Sequence, residues 1–240
     1  MTSIQLGAAL SCLVWSAAHA ASCAAPALPA RVVELYTSEG CNSCPPADRW
    51  LSRLKSEPGV VALAFHVDYW DRLGWKDRFA DAAFTQRQAQ QQAVNGARFS
   101  YTPQVVVNGV DRKDWPALPA ALPTLAAAEA IGLTLEREAE HYVARVRPAA
   151  ARRLAAYWAV TESGHSTAVK AGENEGVTLT HDFVVREFVP VAPWQSAADT
   201  ATALEFKPAR PADAAHPREV NLVLLDAATG KPLQARKLGC

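Results

Sequence analysis

The chain has 240 residues, half of them hydrophobic, which is enough for one large domain or two small ones with full hydrophobic cores. Its 24 lysine and arginine residues balance 24 aspartate and glutamate residues, so the formal charge is zero. This balance argues against a surface that binds nucleic acid or an anionic membrane.

Residues 1–20 predict a secretory signal peptide. They contain no Asp, Glu, Lys or Arg, carry the apolar run Leu6–Val14, and end in the small-residue triplet Ala18-His19-Ala20. The run is too short and too interrupted for a permanent membrane anchor, and no later segment is long and apolar enough to span a bilayer. We therefore expect a periplasmic or secreted protein with no membrane span in its mature chain.

Export determines how the cysteines are interpreted. After removal of the signal peptide, the mature chain keeps Cys23, Cys41, Cys44 and Cys240. An even number of cysteines in an oxidising compartment indicates disulfides, with three possible pairings. Cys41 with Cys44 is the local choice. Cys23 and Cys240 then remain as a candidate structural disulfide between the two mature termini, since termini often lie close together.

The most informative stretch of the chain is Val32–Pro46. Val32–Tyr36 favours a half-buried strand, Gly40 allows a sharp turn, and Cys41 and Cys44 then fall in the first turn of a predicted helix. Free backbone N–H groups and the positive dipole end stabilise a thiolate there, which lowers a cysteine pKa from about 8.5 towards neutrality. The spacing predicts a redox dithiol.

The next segments alternate between helix and strand patterns. Apolar spacing predicts a helix over 47–54, and the continuous apolar run Val60–Val67 predicts a strand buried on both faces. Asp77–Val94 favours a second helix. Gln104–Val107 followed by Asn108-Gly109 predicts a hairpin. This order predicts a layered α/β sheet with the dithiol at the carboxyl end of its first strand.

From about Ile131 the pattern changes to short, often alternating apolar runs separated by turn residues. Evenly spaced short strands of this kind are typical of an antiparallel β-sandwich, here with seven or eight strands. We therefore predict two domains after the signal peptide: an α/β domain over 21–130 and a β-rich, sandwich-like domain over 131–240.

These motifs resemble the thioredoxin fold, in which a dithiol follows a strand and a Thr-Pro pair, here Thr102-Pro103, precedes a later strand. They resemble more closely a secreted thioredoxin-like family catalogued as domain of unknown function 1223. The stretches that carry this resemblance are Val33–Ser38, Gly40–Asp48, Phe65–Asp71, Gly74–Asp77, Tyr101–Gln104 and, more weakly, Gly172–Pro190. The resemblance implies a thioredoxin-like fold, export and a dithiol, but no proven activity.

The resemblance also implies roles for two residues. In the thioredoxin fold the proline that matches Pro103 is cis and packs against the dithiol. Thioredoxins keep a buried acid in the strand before the dithiol, and Glu34 occupies the matching position, which implies proton transfer at the second cysteine. Apolar neighbours would raise the pKa of Glu34 by desolvation. The alternative is that Glu34 pairs with a nearby arginine and only fixes the strand.

The loop over 68–77 is rich in aromatic and acidic residues. Sites in open α/β sheets gather at the carboxyl ends of strands, so Tyr69, Trp70 and Trp75, together with Thr102, are candidate substrate-binding residues. The alternative is that these aromatic side chains pack under the adjacent helix. His165, His181 and Asp182 are interpreted as structural residues, because no serine-elbow motif accompanies them.

The sequence thus predicts an exported thiol–disulfide oxidoreductase that acts on a protein thiol or disulfide. Cys41, as the more exposed thiolate, would attack, and Cys44 would resolve the mixed disulfide. The dithiol is itself the redox centre, so no cofactor is expected.

Two alternatives to this interpretation stay open. One is a structural disulfide that braces a binding module, in which the sandwich does the recognising. The other is a dithiol that binds Cu(I) or zinc, with His66 and Asp68 as the further ligands at hand, although no second C-x-x-C or C-x-x-H is present.

Overall fold

The structure, a computed structural model, describes residues 23–28, 30–118, 122–126 and 130–239. The predicted signal peptide lies outside these described residues. Among the helices that the structure does describe, none has the length and apolar character needed to cross a bilayer.

Strands dominate the described part of the chain. The strands are β1 (Cys23–Ala24), β2 (Arg31–Thr37), β3 (Val60–His66), β4 (Gln104–Val107), β5 (Val110–Asp111), β6 (Ile131–Glu138), β7 (His141–Pro148), β8 (Arg152–Glu162), β9 (His165–Ala168), β10 (Thr178–His181), β11 (Val184–Ser196), β12 (Thr202–Phe206), β13 (Arg218–Asp226) and β14 (Pro232–Leu238). The α-helices are α1 (Pro45–Ser52) and α2 (Ala82–Val94), and short 3-10 turns occur at Arg53–Ser56, Asp71–Leu73 and Trp115–Ala117.

One eight-stranded sheet joins the two halves of the chain. Its order is β14-β13-β8-β11-β3-β2-β4-β5, with β2 and β3 parallel and β4 antiparallel to β2. β11 lies between the halves, parallel to β3 and antiparallel to β8. The predicted boundary near residue 130 is therefore not a boundary between sheets. β3 is buried along its length, and β11 pairs with its second edge at one position, Val184 opposite Ala64.

A second sheet packs against the part of the first sheet that β8, β13 and β14 form. Its order is β1-β6-β7-β12. β6 alternates buried and exposed residues, with Ile131, Leu133 and Leu135 buried, as expected of a strand with one face on a core. These side chains share a core with residues of β8, β13 and β14, including Trp158 and Leu222. The two layers pack face to face.

The two faces of β2 contact different helices. Val33 and Leu35 pack with Leu51 of α1, whereas Val32 and Tyr36 pack in a separate core with Phe84 of α2. This separation follows from the period-two alternation of side chains along a strand. It determines which β2 side chains can approach the α1 side of the sheet.

The second helix is shorter than predicted. The pattern predicts a helix from Asp77, but α2 begins after Asp81, whose side chain accepts a hydrogen bond from Ala83 N at 2.8 Å. Aspartate is a preferred N-cap because its carboxylate satisfies a free backbone N–H. Asp77 is turned into the protein interior instead.

Candidate functional site

Cys41 and Cys44 form a disulfide at the carboxyl end of β2, with their Cα atoms 5.4 Å apart. Cys44 is the N-cap residue of α1 and Cys41 lies in the turn before it. The Cys44 amide donates to Cys41 O at 3.2 Å, and Ala47 N donates to Cys44 O at 2.8 Å. The predicted order of strand, turn, cysteine pair and helix is therefore observed.

Both cysteines are completely buried, each with an exposed fraction of 0%. The prediction that Cys41 is the more exposed thiol is therefore wrong. The two residues between them, Asn42 and Ser43, are exposed. The chain thus presents the backbone of this turn to solvent while the sulfur atoms face inward.

A loop from the second half of the chain covers the disulfide turn. This covering loop, Val169–Val177, connects β9 to β10. Its Asn174 is buried, and the Asn174 amide donates to the backbone oxygens of Glu39 and Cys41 at 2.8 and 3.0 Å. Because the loop is distant in sequence from the cysteines, its position could not be read from the local pattern.

Two further contacts hold the covering loop. Glu173 Oε2 accepts a hydrogen bond from Asn42 N at 3.1 Å, in an exposed position. A Cβ added to Gly172 would lie 3.2 Å from Trp75 Cβ, and Gly172 has a φ of +78°, so a glycine fits this close approach. The loop is held by few polar contacts.

Trp70 connects the disulfide turn to the loop that contains Thr102 and Pro103. A Cβ added to Gly40 would lie 3.2 Å from Trp70 Cβ, so the indole residue packs directly on the turn. Trp70 Nε1 donates to Thr102 Oγ1 at 2.8 Å, and the Thr102–Pro103 peptide bond is cis. Thr102 and Pro103 are half-buried.

The other aromatic candidates are also engaged within the protein. Trp75 Nε1 donates to Glu39 Oε2 at 2.8 Å. Tyr69 and Trp70 pack against the core on the α2 side of the sheet. All three side chains are half-buried. Their contacts within the protein agree with the alternative interpretation of this loop, in which the aromatic side chains pack internally.

Glu34 lies on the opposite face of β2 from α1. Its Oε1 accepts hydrogen bonds from Arg87 Nη2 at 2.7 Å and Tyr157 Oη at 2.5 Å, and its Oε2 accepts from Tyr36 Oη at 2.8 Å. Burial and the Glu34 carboxylate raise the pKa of both tyrosines, which keeps them protonated as donors. The structure therefore shows the ion-paired alternative rather than an acid placed beside the cysteines.

A cluster of buried acids and histidines lies next to the disulfide turn instead, and among its members only His66 was predicted near the cysteines, as a candidate metal ligand. Its members are Glu39, Asp48, His66, Asp77 and His181, and we call it the polar cluster. Glu39 precedes Cys41 by two residues. Asp48 is in α1, one turn after Cys44, and its amide donates to Cys44 O at 3.2 Å.

His66 and Asp77 form the tightest pair in the polar cluster. His66 Nδ1 lies 2.7 Å from Asp77 Oδ2, which also accepts from Glu39 N at 2.8 Å. Burial opposes the charged imidazole, but the Asp77 carboxylate outweighs it and raises the pKa of His66. In the same way His66 overcomes burial and lowers the pKa of Asp77. Each partner therefore favours the charged form of the other.

His181 joins Glu39 to this pair. Its Nε2 lies 3.3 Å from Glu39 Oε1, and its ring centroid lies 5.0 Å from that of His66. Burial would raise the pKa of Glu39, but His181 and the indole of Trp75 lower it. His181, interpreted from the sequence as a structural residue, is thus part of the cluster beside the disulfide.

Asp48 is the member of the cluster that is suited to hold a proton. Burial raises its pKa, although His181, His66 and the hydroxyl of Thr37, 3.2 Å from Asp48 Oδ2, act in the opposite direction. A protonated carboxyl can give its proton to a leaving thiolate, and a carboxylate can take it back. The helical spacing of Cys44 and Asp48 was a signal of this proximity in the sequence.

The metal-binding alternative finds no ready geometry. Across the described ranges, no group of three or more His, Cys, Asp or Glu side chains is arranged to hold a metal ion. The two predicted additional ligands have separate partners: His66 pairs with Asp77, while Asp68 Oδ1 accepts from Thr85 Oγ1 at 2.6 Å.

The predicted pairing of the two terminal cysteines involves Cys240, which lies outside the described residues. Cys23 begins β1 and is disulfide-bonded. Ala24 lines the same cavity as Leu238 and Gly239, so the two ends of the described chain lie close together.

The fold and the site define a class of protein: a mixed sheet shared by both halves of the chain, with a C-x-x-C disulfide at a strand–helix junction under a loop from the second half. This chain belongs to the DUF1223 family, described as "Protein of unknown function", whose profile matches residues 32–225. The match includes the cysteine pair, the polar cluster and the covering loop.

Two solved structures are similar to this one. A structural-genomics protein from Agrobacterium tumefaciens is 24% identical, with a TM-score of 0.63 over 87% of this chain and 93% of that one. HBP35 of Porphyromonas gingivalis is 13% identical, with a TM-score of 0.56 over 87% of this chain and 74% of that one. No curated protein matches the chain. At these identities the similarity concerns the fold alone.

Proposed function

We propose that this protein is an exported thiol–disulfide oxidoreductase with a thioredoxin-like arrangement, acting on protein thiols or disulfides through Cys41 and Cys44. The observation that carries the proposal is the polar cluster beside the disulfide. A disulfide that only braces the fold needs no buried titratable groups next to it, and burying such groups is unfavourable. Perturbed titratable groups of this kind concentrate at functional sites.

The reaction follows from the position of each group. A partner thiolate attacks Cys41 Sγ, the Cys41–Cys44 bond breaks, and Cys44 leaves as a thiolate that takes the proton of Asp48. A second partner thiol, once deprotonated, attacks the partner sulfur in the mixed disulfide and releases Cys41 as a thiolate. The partner is then oxidised to a disulfide and the cysteine pair is reduced by two electrons. The reverse sequence reduces a partner disulfide.

The covering loop must move before a partner can react, because neither sulfur is exposed. Three hydrogen bonds to the disulfide turn resist that movement, two donated by Asn174 and an exposed one accepted by Glu173, together with the packing of Gly172 against Trp75. Loop opening that precedes chemistry is common in enzymes and occurs without unfolding of the core. Trp70 packs on Gly40 of the same turn and donates to Thr102. We expect Trp70, Thr102 and the adjacent Pro103 to contact the incoming partner.

Turnover and covalent trapping test this function. We expect the purified protein to catalyse dithiol oxidation or insulin reduction, and Cys44→Ala to accumulate mixed disulfides through Cys41. Cys41→Ala is the matched control, because it removes the attacking sulfur and should trap no partner. If the wild-type protein shows neither activity and Cys44→Ala traps nothing, the oxidoreductase proposal is wrong.

One observation favours a second candidate, a binding module braced by a structural disulfide: the complete burial of both sulfurs. In that case the disulfide would resist reduction, with a potential below about −300 mV, the range of structural disulfides. The polar cluster would then serve only to fix the loops around it.

A further inference from the structure

A second group of charged side chains lies around the end of β8. We call Arg78, Arg186, Arg210 and Arg218 the arginine cluster. Arg186 and Arg218 approach the same carboxylate, Glu162, at 3.3 and 3.0 Å. Arg78 and Arg186 lie over the ring of Phe79, with their guanidinium carbons 4.5 and 4.9 Å from its centroid.

Many hydrogen-bond donors of this cluster have no acceptor. Arg186 donates no hydrogen bond within the described residues; its buried Nε lies 3.3 Å from Glu162 Oε2 in an ion pair, but without hydrogen-bond geometry. Arg218 uses its two terminal nitrogens on Arg210 O, Pro211 O and Glu162, but its buried Nε has no partner. Buried donors are normally satisfied, so the Nε of Arg218 and the guanidinium group of Arg186 have hydrogen-bonding capacity that an added acceptor could use.

The charges of the cluster are also unbalanced. Of the four guanidinium groups, those of Arg186 and Arg218 share one carboxylate, Glu162, whereas Arg78 and Arg210 form no ion pair among the described residues. The nearby Glu187 already accepts the backbone N–H groups of Ala209 and Arg210 at 2.9 and 2.6 Å. Burial and the neighbouring arginines lower the pKa of Arg186, against the effect of Glu162. Like charges held together in a partly buried position favour an added anion.

Two histidines also lie beside the arginine cluster, and one of them, His165, adds no positive charge to it. His165 and His216 stack with ring centroids 3.7 Å apart. Burial, His216 and Arg186 lower the pKa of His165 to about 4, so this histidine is neutral at pH 7. Its Nδ1 is buried and has no hydrogen-bond partner.

A cavity of about 640 Å³ adjoins the cluster and is lined by Arg210, His216 and Arg218. Arg137 and Lys207 line its far side, against the acids Glu140 and Asp213. This volume falls in the range of sites for small molecules. Guanidinium groups bind carboxylate and phosphate oxygens in pairs. Arg218 lines the cavity, and Arg186, which does not, shares Glu162 with Arg218.

We propose that the arginine cluster is a binding site for a small oxyanion with two or more negative charges, either a phosphoryl group or a dicarboxylate. Arg186 and Arg218 would supply the partly buried donors, and Arg78 and Arg210 the exposed charges at the entrance. This site is separate from the cysteine pair and does not depend on the oxidoreductase proposal.

Isothermal titration of the full mature protein tests the site, with inorganic phosphate and succinate as separate probes at fixed ionic strength. We expect one saturable site for at least one probe. The probe that binds more tightly shows whether the site prefers a phosphoryl group or a dicarboxylate. Arg186→Gln should weaken that binding by at least about tenfold, since charged hydrogen bonds are individually strong. The bound probe should also raise the Tm of the wild-type protein.

Arg145→Gln is the matched control, because Arg145 is an exposed residue of β7 and the change removes the same charge. Its affinity should equal that of the wild-type protein. If Arg186→Gln does not fold, the exposed Arg210→Gln takes its place and should also weaken binding. Absence of saturable binding of both probes, or equal weakening by Arg145→Gln, would overturn the proposal.

Discussion

Glu34 and Asp48 are both buried carboxyls near the carboxyl end of β2, but they face different sides of the sheet. Glu34 is neutralised by Arg87 and accepts hydrogen bonds from two tyrosines. Asp48 lies in α1, contacts Thr37, and has its pKa raised by burial. We therefore expect Glu34 to contribute to the free energy of unfolding and Asp48 to the rate at which the disulfide is reduced.

Asp48→Asn keeps the shape of the side chain but removes its ability to transfer a proton. We expect reduction of the disulfide by dithiothreitol at pH 7 to slow by about 10²-fold, the lower end of general acid–base contributions. The measurement is the rate of thiol release under pseudo-first-order conditions. Glu34→Gln is the control, since it makes the same change on the opposite face and should leave this rate unaltered.

Glu34→Gln should act on stability instead. Removal of one partner leaves the Arg87 charge buried and unpaired, which we expect to destabilise the protein by about 3 kcal/mol. Urea unfolding followed by circular dichroism measures this change. A loss below about 1 kcal/mol would mean that the pair contributes little to the fold.

The raised pKa of Asp48 also predicts a pH-dependent stability. The folded protein holds this proton above the ordinary value of 3.8, so the favourable contribution of Asp48 is complete at low pH and is lost as pH rises through its folded pKa. Asp48→Asn removes that dependence. We expect Asp48→Asn to gain stability relative to the wild-type protein between pH 4 and pH 7 in urea unfolding. If the difference in unfolding free energy between Asp48→Asn and the wild-type protein stays the same across this range, the raised pKa of Asp48 is contradicted.

At the scale of elements, we propose that the covering loop limits access to the disulfide. Asn174 fixes it with two hydrogen bonds to the disulfide turn. Asn174→Ala should lower the free energy of opening by about 1–2 kcal/mol, the range for buried hydrogen bonds, and so raise the rate of reduction by a phosphine about tenfold. Glu175→Ala, an exposed change in the same loop, is the control and should leave the rate as in wild type. Equal rates for all three proteins would show that the loop does not limit access.

The elements with strong local signals follow the sequence closely. The strand predicted over Gln104–Val107 is confirmed, and the apolar run that starts at Val60 forms β3. Local patterns could not locate the covering loop or His181, because both reach the disulfide through the pairing of β11 with β3. The partner of Glu34 could not be identified from the sequence, because the alternation along β2 does not show which helix lies on each face, and Arg87 belongs to α2.

At the scale of the whole molecule, β11 makes the two halves of the chain depend on each other. It completes β3 of the first half and pairs with β8 of the second. We therefore expect the mature protein to unfold in one cooperative transition, with calorimetric and van't Hoff enthalpies that agree. A fragment of residues 131–240 expressed alone should lack that transition. Two separate transitions would instead favour two independent domains.

The reduction potential of the Cys41–Cys44 disulfide tests the central claim most directly. It can be measured by equilibrating the mature protein with defined dithiothreitol ratios and counting free thiols at Cys41 and Cys44 by mass mapping. A working redox pair predicts a potential between about −120 and −270 mV, the range of known dithiol oxidoreductases. A potential below about −300 mV would contradict the account and identify the disulfide as a structural one.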